Sequence, residues 1–345
     1  MRYYSTTLAA GTATILGLVA AMIAPGSAAN AASEPSAELI KAAKAEGTVV
    51  FYSANPVPGT EHVARAFEKK YGITVEPLGL PAGTLLQRFA SELTAGSFNA
   101  DIIIGAGFDN VVTNDYGPKG WMIPIKTAGI PALDSGSYPA DFLNKSTATI
   151  AYNPWILAYN TDLVKEADAP KSFADLADPK YKGLVCMPNP EVALAYIEIW
   201  DRVRAEFGEK TLAGVAANNP KVYESAAAAS SALGAGECAI AGPVSGPGIA
   251  ALPKRAPVKA LTPAVTTGTQ MELGFINPKK VGHPNAAKLF AQYLLSPEGN
   301  EQQATIGDNI WVLDPSKSPA QIAALKAAPD AADRKEQVLK LLGRK

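Results

Sequence analysis

Hydroxyl, amide and aromatic side chains follow several apolar runs of this sequence at the points where those runs end. Side chains of these types bind the polar groups of small molecules, and free backbone N–H groups in the same loops attract anions. Open parallel sheets bind ligands at such loops, outside the carboxyl ends of their strands. The predicted ligand-binding residues are Ser53, Asn55, Thr84, Ala106 in the loop 105–109, Tyr152, Trp155, Asn189, Ser225, Ser245 and Thr267.

Each of these residues also has a purely structural interpretation. Ser225 precedes an alanine-rich helix and suits its N-cap, and Asn55 before a proline suits a turn. Tyr152 and Trp155 could pack between domains rather than contact a ligand. The sequence leaves both interpretations open.

Patterns that would indicate catalysis, a metal or a nucleotide do not occur in the sequence. It holds neither a serine flanked by glycines at nucleophile-elbow spacing nor a Ser-x-x-Lys motif. Its two histidines, His62 and His283, are far apart, and with two cysteines they cannot form a His/Cys zinc set. The glycines of residues 105–107 lack the third glycine of a dinucleotide fingerprint. We therefore expect no enzyme activity, no metal site and no cofactor.

The first residues are typical of an export signal. Arg2 is followed by an apolar run from Leu8 to Ala24, and the small residues 29–31 suit cleavage after Ala31. The alternative of a membrane anchor is disfavoured because glycines and Pro25 interrupt the apolar run. The prediction is a signal peptide over residues 1–31 and a periplasmic mature protein.

The mature chain of about 310 residues exceeds what one hydrophobic core usually holds, so two domains are expected. Over the full 345 residues, 31 Lys and Arg nearly balance 32 Asp and Glu, which leaves no broad basic surface for nucleic acid. The partners we expect are therefore a small-molecule solute and no nucleic acid.

Apolar strands alternate with amphipathic helices in both halves of the chain, which predicts α/β lobes with mainly parallel sheets. The predicted strands are 48–52, 73–75, 101–104, 183–187, 221–224 and 237–241. Extended segments at 149–152, 156–160 and 271–276 are predicted to cross between the lobes. The predicted division is residues 32–125 plus 266–300 for lobe 1, and 126–265 plus 301–345 for lobe 2.

Cys186 and Cys238 are the only thiols, and each lies within a predicted strand of the second lobe. Export would carry them to an oxidising compartment where a disulfide persists. A structural bridge and two buried free thiols both remain open.

Seven segments occur in an order that resembles bacterial extracellular solute-binding proteins of the ferric-ion-binding-like type. They are Gly47-Thr-Val-Val-Phe-Tyr-Ser, Phe67-Glu-Lys-Lys-Tyr-Gly-Ile, Ala100-Asp-Ile, Tyr159-Asn-Thr-Asp-Leu, Asp178-Pro-Lys-Tyr-Lys-Gly, Gly236-Glu and His283-Pro-Asn-Ala-Ala-Lys-Leu-Phe. The resemblance covers nearly the whole mature chain. It implies a two-lobed periplasmic binding fold that serves an ATP-driven importer and its inner-membrane permease.

The resemblance supports iron binding less strongly than it supports the two-lobed fold. Iron-holding members of this type resemble one another in adjacent tyrosines after the strand that corresponds to 237–241, where this chain reads Gly242-Pro-Val-Ser-Gly. The expected function is therefore a periplasmic substrate-binding component of an ATP-binding-cassette importer that captures a small polar or anionic organic solute by lobe closure. Alternatives are a ferric iron-binding protein and, less favoured, a secreted enzyme on the same scaffold.

The chemistry of the ligand can be narrowed only partly from the sequence. The selected loops contain no evident arginine, which favours a small organic anion held by main-chain N–H groups and hydroxyls, or a polar aromatic compound stacked on Trp155. Glu191, Glu224 and Asp109 would instead favour an amine.

Overall fold

The computed structural model describes residues 34–55, 57–305 and 309–344. Within these ranges the chain forms a mixed α/β structure in which helices flank eleven strands, as the periodicity predicts. The strands are β1 Thr48–Ser53, β2 Thr74–Gly79, β3 Ile102–Ala106, β4 Met122–Ile123, β5 Ala148–Asn160, β6 Val185–Pro188, β7 Lys221–Tyr223, β8 Ile240–Ser245, β9 Val258–Leu261, β10 Gly268–Ile276 and β11 Ile310–Trp311.

Helices connect these strands, and capping residues mark where helices begin and end. The first helix begins after Ser36, whose hydroxyl accepts the N–H of Leu39, and ends at Gly47 with a left-handed φ of 76°. The α-helices are α1 Ala37–Glu46, α2 Val57–Tyr71, α3 Ala82–Thr94, α4 Asp109–Val111, α5 Pro131–Asp134, α6 Leu194–Phe207, α7 Glu209–Ala217, α8 Ala226–Gly234, α9 Gly246–Ala250, α10 Pro284–Leu294, α11 Pro297–Glu301, α12 Pro319–Ala323 and α13 Lys335–Leu341.

Two groups of strands meet at β5. In the first group β2, β1 and β3 are parallel, and β10 lies antiparallel between β3 and β5. In the second group β7, β6 and β8 are parallel, and β8 and β9 pair antiparallel with β5. The first half of β5 therefore belongs to one sheet and its second half to the other.

The predicted crossing segments 149–152 and 156–160 are one continuous strand. The partner of β5 changes from β10 at Pro154 to β8 at Trp155. Proline has no N–H to donate, so the residue at the changeover contributes no donor to either ladder.

Each lobe has its own buried side chains. The first packs Phe51 and Phe67 against Phe290, with ring centroids 4.9 and 4.7 Å apart. The second packs Phe173 against Trp200 at 5.9 Å. Two hydrophobic centres joined by extended strands fit the two-lobed architecture expected from the sequence.

The hydrophobic contacts suggest lobe boundaries that differ from those drawn from the sequence. Side chains from Ile125 to Phe142, and Val312, Ile322 and Leu325, pack in the first cluster. The sequence-based division gave residues 126–147 and 301–325 to the second lobe. We propose instead that the chain changes lobes within β5, just before β10, and after Leu325.

Cys186 and Cys238 form a disulfide with their Cα atoms 5.8 Å apart. The bond ties β6 to the residues that lead into β8, its parallel neighbour. Of the two alternatives left open by the sequence, the structure has the bridge.

The predicted signal peptide, residues 1–31, lies outside the described residues. Among the helices that the structure describes, none combines the length and apolar character needed to cross a bilayer.

Candidate functional site

A cleft of about 760 Å³ opens where the two lobes meet. Most of its lining comes from the first lobe, at the ends of β3 and β10 and in the segments that precede β5. One wall comes from the second lobe, and the connection after Leu325 closes one end. The lining residues are Ala106, Gly107, Asp109, Asn110, Thr113, Asn114, Asn144, Lys145, Leu194, Ala195, Glu198, Gly268, Thr269, Gln270, Glu272 and Lys326–Pro329.

Glu272 of β10 is a buried carboxylate in the first-lobe side of this cleft, with 4% of its surface exposed. It accepts the backbone N–H group of Asp109 at 2.6 Å and the side-chain amide of Asn144 at 3.2 Å. Burial raises the pKa of Glu272 to about 7, and the nearby Asp109 carboxylate acts in the same direction. The group therefore titrates near neutral pH.

Asp109 fixes the segment that leads into β5. One oxygen of its carboxylate accepts the N–H groups of Ser146 at 2.7 Å and Thr147 at 2.9 Å, and the Thr147 hydroxyl at 3.1 Å. Gly107 adds a bond from its N–H to the carbonyl of Gln270 at 3.1 Å. These bonds hold the loop after β3, the segment before β5 and β10 together as one rigid surface.

The second-lobe wall is the start of α6. Leu194 and Ala195 are its first two residues, and Ala193 before them offers no capping side chain, so the first N–H groups have no side-chain acceptor. Glu198, one turn on, lines the cleft, and desolvation raises the pKa of its carboxyl. Among the described residues, Glu198 has no hydrogen-bond or ion-pair partner.

A sequence model of the bacterial extracellular solute-binding protein family matches residues 98–331. The chain belongs to this family. The matched segment contains all of the cleft lining, so the cleft belongs to the part of the chain that the family shares. Members of this family are extracellular solute-binding proteins that serve ABC importers. Two lobes with a cleft between them suit that role.

An uncharacterized protein of Haemophilus influenzae is 26% identical over 288 residues, which cover 79% of this solute-binding protein and 79% of the relative. The description of that relative names no ligand.

Solved structures share the fold at low sequence identity. An ABC-transporter substrate-binding protein from Agrobacterium tumefaciens aligns with a TM-score of 0.62 at 16% identity, over 86% of this chain and 94% of that one. Iron-bound HitA from Pseudomonas aeruginosa gives 0.56 at 21% identity, over 86% and 98%. AfuA from Actinobacillus pleuropneumoniae, with fructose-6-phosphate bound, gives 0.56 at 17%, over 86% and 97%. These neighbours are binding proteins.

Four of the first-lobe residues predicted to bind ligand occupy different positions in this solute-binding protein. Ala106 lines the cleft, whereas Thr84 is exposed on α3 away from the lining. Ser53 and Asn55 are buried: the Ser53 hydroxyl accepts the Asn55 N–H at 3.1 Å, and the Asn55 amide approaches Gln303 at 3.5 Å. The structure therefore brings one of these four residues to the cleft.

Three predicted residues of the second lobe perform the local tasks that their alternative interpretation describes. Ser225 accepts the N–H of Ala228 at 3.1 Å, and Ser245 accepts that of Gly248 at 3.2 Å, each at a helix start. Asn189 accepts the N–H of Glu191 at 3.1 Å, which forms a turn before α6 begins at Leu194. All three lie outside the cleft lining.

The three remaining predicted residues, Tyr152, Trp155 and Thr267, also lie outside the lining. Tyr152 and Thr267 are buried, and burial raises the pKa of Tyr152 to about 12. Trp155 packs on Tyr196 with ring centroids 5.2 Å apart, and the Tyr196 hydroxyl accepts the N–H of Ala226. A role for these ten residues in ligand binding stays a prediction.

Sequence reasoning missed Glu272, Gln270, Asn144 and Glu198 as lining residues. Glu272 carried a usable signal, because it is the charged residue within the apolar run 271–276 that was assigned to a buried crossing strand. A charge at such a position usually has a specific task. Asn144 and Glu198 lie in segments whose sequence gives no comparable signal.

The donor set of the cleft is carboxylate, amide, hydroxyl and ammonium. Neither tyrosine nor histidine is among the lining residues that the structure describes. Over the same described ranges, no group of three or more His, Cys, Asp and Glu side chains is arranged to hold a metal ion.

Proposed function

We propose that this solute-binding protein is the periplasmic receptor of an ABC importer and captures a small polar organic solute with an acidic group by closure of its two lobes. The observation that carries the proposal is the cleft lined from both lobes, with β3 and β10 on one side and the start of α6 on the other. A ligand that contacts both walls stabilises the closed arrangement through the contacts it makes only there.

Positive groups at the cleft support the acidic part of the solute. Lys145 and Lys326 line it, both are exposed, and neither forms an ion pair within the described residues. The uncapped first turn of α6 adds partial positive charge on the facing wall. An acidic group near these residues would be stabilised from both lobes.

Ferric iron is the second candidate, because the structural neighbour HitA is an iron-bound protein. Hard ferric iron is best held by phenolate and carboxylate oxygens. The cleft offers carboxylates, but the segment 242–246 has no tyrosine. The solute proposal therefore fits the lining better.

An enzyme on this scaffold finds less support. The cleft lining described above contains no serine, cysteine or histidine that could form a nucleophile and base pair. The structural neighbours named above are binding proteins as well.

The test is a thermal-shift screen of the exported protein against carboxylates, phosphonates, sugar phosphates, polyamines and ferric salts, followed by small-angle scattering with each hit. A ligand of the native state raises the melting temperature, and lobe closure reduces the radius of gyration. A hit limited to ferric salts would replace this proposal with iron uptake. A bound solute that leaves the scattering curve unchanged would remove lobe closure from the mechanism.

A further inference from the structure

Two carboxylates from opposite lobes line the same cleft without a cationic partner. Glu272 reaches it from β10, and Glu198 reaches it from α6. Glu272 is almost fully buried and Glu198 is half-buried, and within the described chain neither forms an ion pair. A desolvated carboxylate is normally paired, so two unpaired ones in one cleft indicate that the partner comes from outside the protein.

The hydrogen bonds of Glu272 decide what the first-lobe side can offer a ligand. The N–H group of Asp109 and the amide of Asn144, which would otherwise suit an anionic ligand, already donate to Glu272. The protein therefore places its own carboxyl where a ligand anion would bind. When Glu272 is ionised, a ligand must meet this surface with a hydrogen-bond donor or a positive charge.

The other charged and titratable groups around Glu272 do not neutralise it. Asp109 on α4 is also acidic, and the Tyr152 phenol on β5 stays protonated at neutral pH. Lys326 on the last connection acts on Glu272 by its charge without an ion pair among the described residues, and Lys145 is exposed. The positive groups are thus available to the opposite end of a ligand.

We propose that the solute is a small zwitterion whose ammonium group lies between Glu272 and Glu198 and whose acidic group faces Lys145 and Lys326. This inference rests on the proposed function and names the class of its substrate. Glu272 is then a specificity-determining residue that separates amino-bearing acids from plain acids.

The pH dependence of binding follows from the burial of Glu272. An ammonium group favours the ionised carboxylate, so binding releases a proton wherever Glu272 is protonated in the free protein. Because the pKa of Glu272 is about 7, affinity is near its maximum at pH 8 and falls as the pH is lowered. Between pH 8 and pH 6 we expect a loss of about 10-fold.

The experiment is calorimetric titration of the full exported protein with matched pairs of probes. The pairs are 4-aminobutanoate with butanoate and 3-aminopropylphosphonate with propylphosphonate, together with butane-1,4-diamine. We expect at least one amino acid probe to bind at least ~10-fold more tightly than its deaminated partner, since one charged pair is lost. The Glu272→Gln variant should remove both this preference and the pH dependence.

Glu198→Gln is the second variant, because Glu198 is less buried and its replacement leaves the first-lobe network intact. It should reduce the preference for the amino probe and leave the pH dependence in place. Glu206→Gln is the matched control: Glu206 is an exposed glutamate of α6 outside the lining that pairs with Arg202. This control should bind like the parent protein.

The outcomes distinguish a failure of the zwitterion inference from a failure of the proposed function. Equal affinity for the amino and plain acids, or an unchanged preference in both Glu272→Gln and Glu198→Gln, would overturn the zwitterion and leave the receptor standing. Tight binding of butane-1,4-diamine alone would mean that the solute needs no acidic group, which would overturn the zwitterion. If none of the five probes binds while a ferric salt does, both the inference and the solute proposal fail.

Discussion

The first lobe meets the cleft with side chains that are already hydrogen-bonded, whereas the second lobe meets it with side chains that have few partners. Asp109 accepts three hydrogen bonds and Glu272 accepts two within the first lobe. Glu198 has no partner among the described residues, and Leu194 and Val192 near it are 47% and 57% exposed. The first-lobe side of the cleft is thus a preformed surface, whereas the second-lobe wall has polar groups free to contact a ligand.

The two lobes also differ in how they are held together. The disulfide closes a loop of 52 residues in the second lobe, and the first lobe has no cysteine. The lobe whose cleft wall makes fewer internal hydrogen bonds thus carries the covalent link. Four predictions test this contrast, in order of decreasing effect.

Replacing both Cys186 and Cys238 by alanine should destabilise the second lobe by about 4 kcal/mol, the loop-closure estimate for a bridge of this span. Hydrogen exchange read separately over residues 48–106 and 185–245 measures the effect in each lobe. Faster exchange should be confined to the second range. Equal acceleration in both ranges would mean that the lobes unfold as one unit.

Acidification should stabilise the ligand-free protein through Glu272. Its pKa rises from an ordinary 4.5 to about 7 on folding, so the protonated form adds stability that is lost as the pH rises through 7. The difference between pH 4.5 and pH 8 amounts to roughly 3 kcal/mol. Melting temperatures from pH 5 to pH 8 should therefore fall, and Glu272→Gln should flatten that fall. Glu198→Gln, on the second lobe, should change the slope much less.

Removing the Asp109 carboxylate should cost about 2 kcal/mol, because two buried N–H groups and a hydroxyl lose their acceptor. Urea unfolding of Asp109→Ala measures the loss, with Asp109→Asn as the control that keeps one oxygen acceptor. Glu198→Ala on the facing wall should cost less than ~0.5 kcal/mol. A similar cost for both alanine variants would erase the contrast between the walls.

Loss of the Ser225 cap should cost about 1 kcal/mol, since its hydroxyl holds the N–H of Ala228 at the start of α8. Ser225→Ala tests this by thermal unfolding, and Ser225→Asn should restore most of the stability. Neither variant should change affinity for a solute identified by the screen. A large affinity loss in Ser225→Ala would return this residue to the ligand site.

The fold could be read from the sequence because its signals are local. Apolar runs such as 48–52 and 101–104 become β1 and β3, and the extended segment around Trp155 becomes part of β5. The cleft lining could not be read in the same way. Asp109 and Glu272 are 163 residues apart, and their contact depends on the pairing of β3 with β10.

Local signals misled where one residue type serves two purposes. Serine and asparagine after a strand suit both a ligand and a local cap or turn: Ser245 caps α9, and Asn189 forms a turn. Glu272 was overlooked because a charge inside an apolar run was assigned to the strand rather than to the cleft. Giving a charged residue in a buried strand more weight than a hydroxyl in a loop would have placed Glu272 in the predicted site.

Pro154 marks the point on the long strand β5 where pairing passes from β10 to β8. It has no N–H to donate to either ladder, while Trp155 beside it donates its N–H to Thr267. A relative movement of the two halves of β5 at this residue would therefore have one strand hydrogen bond fewer to break than at any other residue type.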